Sequence, residues 1–200
     1  VSAENYWDSL TYYKVLRDTT DITIYMRAKL EFDSIVLDTI GVRLKGVGSY
    51  SHPGMKNPWK LDFNKYVKGQ KLDGLKKLNL QNATQDPTMI REKLMLDFCQ
   101  NNDIPAPRCT FTEVYVNDEY IGLYKIIEQV DKRMLEANYG NGKGNLFKGE
   151  NGKMIWNGSS PNDCADQYQL KNNEDENDWS ALINMIDVVN NSPDANFKEE

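Results

Sequence analysis

Histidine is almost missing from this 200-residue chain: the only one, His52, sits in a stretch rich in Ser, Gly and Pro. A single imidazole excludes a Cys/His zinc cluster and makes cysteine–histidine catalysis implausible. Cysteine is scarce as well. Cys99, Cys109 and Cys164 are odd in number and lack C-x-x-C spacing, so no closed disulfide set is expected. Cys99 falls among apolar residues, where a buried free thiol is the usual state. No apolar run approaches the ~18 residues of a membrane span, and the first residues lack the basic-then-apolar pattern of a signal peptide. The formal net charge is −6, which argues against nucleic acid as the partner, because phosphate neutralisation needs clustered cations.

The remaining composition, 40% hydrophobic and 27% charged, is enough to bury a real core. The charge is unevenly spread. Between Arg43 and Lys77 nine bases face two acids, whereas from Asp163 onward ten acids face two bases. A compact basic stretch inside an acidic protein suits a small polyanion better than a long one, although lysines that only solubilise strand faces would look the same.

Residues 22–30 alternate, with Ile22, Ile24, Met26, Ala28 and Leu30 on one face, which predicts a half-buried strand. A second strand is predicted over 40–45, with Ile40, Val42 and Leu44 inward and Arg43 and Lys45 outward. A third runs from Trp59 to Phe63, with Lys60 and Asp62 outward, and a weaker one covers 75–80. Residues 49–58 between the second and third read as a flexible loop. Asp86-Pro87 fits a helix N-cap followed by proline at the first helical position, and Ile90, Leu94 and Phe98 mark that helix's expected buried stripe. Residues 110–117 and 120–127 read as a hairpin turning at Asn117-Asp118. Lys132 to Tyr139 suits a short helix. After a polar linker, Trp179, Leu182, Ile183, Ile186 and Val189 form an apolar stripe that must be buried against something. Little chain follows that stripe, which points to a piece of a longer protein. Asn82-Ala-Thr84 and Asn157-Gly-Ser159 are glycosylation sequons, relevant only in a eukaryotic secretory setting.

Three features bear on chemistry. A small-residue loop between two cation-bearing strands lets backbone N–H groups approach phosphate oxygens, although it matches no standard phosphate-binding motif. A helix carrying Arg91-Glu92-Lys93 offers a carboxylate to orient a strand lysine, as protein kinases do. Ile126-Ile-Glu-Gln-Val-Asp131 ends a strand where a kinase-like lobe would have its hinge.

These features stand within ordered blocks: Gly41-Val-Arg-Leu-Lys-Gly46, Pro58-Trp-Lys-Leu-Asp-Phe-Asn64, Lys71-Leu-Asp-Gly-Leu-Lys-Lys-Leu-Asn-Leu80, Asp86-Pro-Thr-Met-Ile-Arg-Glu-Lys-Leu94, Tyr120-Ile-Gly-Leu-Tyr124 and Gly144-Asn-Leu-Phe-Lys-Gly149. Over roughly residues 20–150 the chain resembles the CotH family, named for a spore-coat protein and regarded as atypical protein kinases. The resemblance implies an α+β, kinase-like fold: a mostly antiparallel N-lobe with packed helices over 1–150, then a linker and an incomplete second lobe over 151–200. It implies ATP and Mg²⁺ as cofactors and a coat or cell-surface protein as substrate, phosphorylated on Ser or Thr in an extracytoplasmic setting. Lys60 would contact the phosphates and Glu92 would orient it. Arg43, Ser49 and Ser51 would line the covering loop, and Glu128 would border the nucleotide. Asp62 and Asp131 are further candidates. The family's catalytic and metal-binding aspartates are expected beyond Glu200, so none is assigned here. The alternative is a non-catalytic surface or coat-associated module, for which exposed aromatics (Tyr6, Trp7, Tyr12, Tyr13, Trp156) would be the signature.

Overall fold

The chain was analysed as a computed structural model, which describes residues 5–46, 48–50, 56–149 and 153–193. The fold is α+β, and it divides into two compact units, residues 1–129 and 130–200. The expected boundary at 150 therefore falls inside the second unit, between two strands that pair with each other.

In the first unit a helix, α1 (Tyr6–Thr20), precedes strands β1 (Met26–Phe32), β2 (Ile35–Leu44), β3 (Trp59–Asp62) and β4 (Lys77–Gln81). A second helix, α2 (Arg91–Asn101), then leads to β5 (Cys109–Val116) and β6 (Glu119–Glu128). The six strands form one antiparallel sheet in the order β1-β2-β3-β4-β6-β5. Directly paired residues share a face. Val42, Leu61 and Leu78 therefore align on one side, as do Leu44, Trp59, Leu80 and Ile126. Together with Phe63 and Tyr124 they build the core. Leu10 of α1 is buried in that core, with Tyr6 and Trp7 packed against it.

The hairpin turn is as expected: Asn117 (φ 49°) and Asp118 (φ 66°) both take left-handed conformations, the two-residue turn whose twist matches the flanking strands. β1 starts later than its alternation implies. α1 ends with Asp21 in a left-handed cap (φ 59°), and Ile22 beyond it is exposed. Helix α2 departs further from expectation. Asp86 does not cap it at the adjacent residue; its carboxylate accepts from Thr88 Oγ1 (2.5 Å) and from Arg91 N (3.1 Å), across a turn with Gln85 and Met89 at positive φ. These bonds, with Thr88 foremost, hold the Asp86 carboxyl below the usual range. The expected buried stripe is exposed: Ile90, Leu94 and Phe98 are 45%, 59% and 56% accessible.

The second unit holds helix α3 (Lys132–Tyr139), strands β7 (Leu146–Gly149) and β8 (Tyr168–Asn172), and helix α4 (Ser180–Asn191). Asp131 caps α3, accepting from Arg133 N at 2.9 Å. The α4 stripe has its cover within this unit. Trp179, Leu182 and Ile186 are buried with Cys164 and Tyr168, and Phe147, Trp156 and Leu170 pack around them. Ile186→Ala is expected to cost about 2–5 kcal/mol, whereas Leu94→Ala is expected to stay within about 0.5 kcal/mol, as urea unfolding would measure.

Candidate functional site

Opposite the apolar side, the same register assembles cations. Arg43 pairs with Lys60, Lys60 with Asn79, and Asn79 with Ile127, so these side chains form a row across four strands. One step along, Gly41, Asp62 and Lys77 form a parallel row. Gln81 and Lys125 continue the face on the other side. A polar network ties the rows together. Lys60 Nζ donates to Gln129 Oε1 (2.7 Å). The buried Asn79 amide donates to Ile127 O (3.3 Å) and Gln129 Oε1 (3.4 Å), while its oxygen accepts from Lys45 Nζ (3.2 Å).

The electrostatics of this face are lopsided. Beside the Arg43–Lys60 row the partly compensating carboxylate is Asp62, 3.7 Å from Lys77 Nζ, and it also accepts from Asn64 N. Lys60 is depressed to about 8, first by burial and then by the neighbouring charges of Arg43, Lys77 and Lys45. Arg43 stacks over Tyr25 at 5.4 Å, and its buried Nε has no hydrogen-bond partner among the described residues. Like charges set side by side, with a buried donor left over, are the arrangement an anion would complete.

Gly46, at the mouth of the β2–β3 loop, adopts φ 84°, and a Cβ there would lie 2.1 Å from Ser49 Oγ, so only glycine fits. Ser49 is held through its carbonyl, which accepts from Asn82 Nδ2 and Thr84 Oγ1 (both 3.1 Å). Asn82 Nδ2 also donates to Lys56 O (2.9 Å), so one buried amide holds both shoulders of the loop. The Asn82 sequon is thus a loop clamp whose nitrogen is committed inside the protein. Ser51 lies outside the described residues.

One expected partnership is not formed. Glu92 pairs with Lys125 (2.6 Å), not with Lys60. The reason is topological: α2 follows β4 and packs on β5, placing Glu92 over the β6 end of the face, whereas Lys60 lies on β3. Lys125 is 3% exposed, so its ammonium depends on that carboxylate. Glu128 pairs with Leu78 on the core side of the sheet, opposite Lys60, and binds Arg108 through NH2 (2.5 Å) and the backbone N–H (3.1 Å). Of the predicted site residues, the sheet brings together Arg43, Lys60 and Asp62. Lys45, Asn79, Lys125 and Gln129 were missed, although the outward pairing of Arg43 with Lys45 already pointed to the first. Among the aromatics singled out, Tyr6, Trp7 and Trp156 pack against the cores, and Tyr12 is exposed.

The family model described as CotH kinase protein matches residues 42–200. The chain belongs to the CotH family. Among curated proteins it is similar to the inner spore coat protein H of Bacillus subtilis (strain 168), 29% identical over 133 residues. That alignment covers 64% of this chain and 36% of the relative, so the chain spans little more than a third of the relative's length. The CotH match includes every residue of the cationic row and all of α2.

A double-mutant cycle on urea unfolding is expected to give about 1 kcal/mol or more of coupling between Glu92 and Lys125. The same cycle between Glu92 and Lys60 should give a value near zero.

Proposed function

We propose that the cationic face of the first unit binds the phosphates of ATP, as the nucleotide-holding half of a CotH-type transfer of phosphate to Ser or Thr hydroxyls of coat proteins. The observation that carries this reading is the Arg43–Lys60 pair, flanked by Lys45 and Lys77 and offset by one carboxylate. The order of parts supports it. Two strands joined by a glycine-bearing loop are followed by a further strand and then by a helix that carries a glutamate, which is the order of parts in a protein kinase, although a kinase's glutamate holds a lysine from a strand before the helix. Here the lysine held is Lys125, two strands after the helix. Lys60 and Arg43 would take the phosphate oxygens, and Asn79 with Gln129 would aim Lys60.

Among the described residues no three carboxylate, histidine or cysteine side chains converge to hold a metal ion. No step is routed through Mg²⁺. The acceptor protein and the coat setting rest on the family and on the relative's name. No helix of the described residues is long and apolar enough to cross a membrane.

Calorimetric titration with ATP tests the reading. Saturable binding is expected, weakened about tenfold or more by Lys60→Ala, the cost of losing a charge-assisted hydrogen bond. The sign of the pH dependence follows from Lys60. An anion favours its protonated form, so affinity should fall as pH rises through about 8, and Lys60→Arg should bind with that dependence flattened. Without ligand the sign reverses: the depressed value burdens the fold below about 8, and the burden lifts as pH climbs toward the ordinary lysine range. Absence of saturable ATP binding, or affinity indifferent to Lys60→Ala, would defeat the proposal.

A further inference from the structure

Helix α1 lies ahead of the family-matched residues, yet it grips the end of β2 and the turn that follows it. Arg17 donates to the carbonyl of Leu44, the last residue of β2, at 3.3 Å. Lys14 places its ammonium 4.7 Å from the centre of the Tyr50 ring, in the short 3-10 turn Gly48–Tyr50 of the loop itself. Lys14 is only 3% exposed. A buried ammonium is costly where a leucine would suit, unless its surroundings repay it. Asp18 does so in part, through ion pairs with both Lys14 and Arg17. Burial alone would raise the Asp18 carboxyl; those two cations hold it below its usual value. The π-face of Tyr50 supplies the other contact. Tyr50 also packs against the core on the α1 side. Residues 48–50 are therefore approached from two directions, by Asn82 and Thr84 at Ser49 and by α1 at Tyr50, while α1 also holds Leu44 at the end of β2.

We infer that α1 is a positioning element for this loop, with Lys14 acting through Tyr50 to set where residues 48–50 stand relative to the cationic row. The inference rests on the reading of that row as a phosphate site. Lys14 touches no ligand; it is a positioning residue.

The test compares Lys14→Met, Tyr50→Leu and Tyr50→Phe in the full chain, by urea unfolding, amide exchange and ATP titration. Methionine fills the lysine's space without its charge, so Lys14→Met should keep or raise global stability. It should nevertheless speed amide exchange at residues 48–50 and weaken ATP binding about fivefold, the worth of a partly buried cation–π contact. Tyr50→Leu should do the same. Tyr50→Phe retains the ring face and should behave as wild type. Exchange at residues 48–50 that is unchanged in Lys14→Met overturns the inference, as does a Tyr50→Phe variant as impaired as Tyr50→Leu. If wild type fails to bind ATP, the proposed function falls, and amide exchange alone still decides the role of α1.

Discussion

The register of β2 against β3 and of β3 against β4 is the constraint from which both faces of the first unit follow. Three antiparallel strands held in step put Val42, Leu61 and Leu78 on one side and Arg43, Lys60 and Asn79 on the other. A slip of one residue would send the cations into the core and the leucines into water. The hydrophobic side enforces the alignment, because Leu44, Trp59, Leu61, Phe63 and Leu80 are all buried. The polar side inherits its geometry from that enforcement. Its like charges therefore stand together without needing to attract one another.

That arrangement has a cost. Arg43 directly opposite Lys60 is a pairing that sheets ordinarily avoid. It persists because Asn79 and Gln129 satisfy Lys60 and its neighbours through neutral oxygens, which orient cations without cancelling them. On the flank of the same face, where α2 covers the sheet, Glu92 neutralises Lys125. Charge is thus cancelled under the helix and left standing in the open row.

The alternation of Ile40–Lys45 and Trp59–Phe63 made both strands, and the facing of each side chain, readable from sequence; Asn117-Asp118 did the same for the hairpin. Partnership across the sheet was not readable. Kinase analogy pointed to Lys60 for Glu92, but strand order decides which lysine lies beneath α2, and Lys125 follows Glu92 by more than thirty residues. Nor was the facing of Glu128 readable: it shares the core side with Leu78, and its neighbour Ile127 is the one on the cationic side. α1 escaped notice because Lys14 occupies the buried stripe set by Leu10, which hides the helical period. The opposite error arose at α2, where Ile90, Leu94 and Phe98 repeat correctly and yet stay exposed. Asn82 read as a sequon because only the fold reveals what its amide holds.

A lysine depressed to about 8 is also a nucleophile. Near neutral pH a larger share of Lys60 would be free amine than of a lysine at its ordinary value. Acylating reagents should single it out from the other lysines of this lysine-rich sheet. Its labelling would then serve as a footprint: protected when an anion sits on the row, reactive when the row is bare.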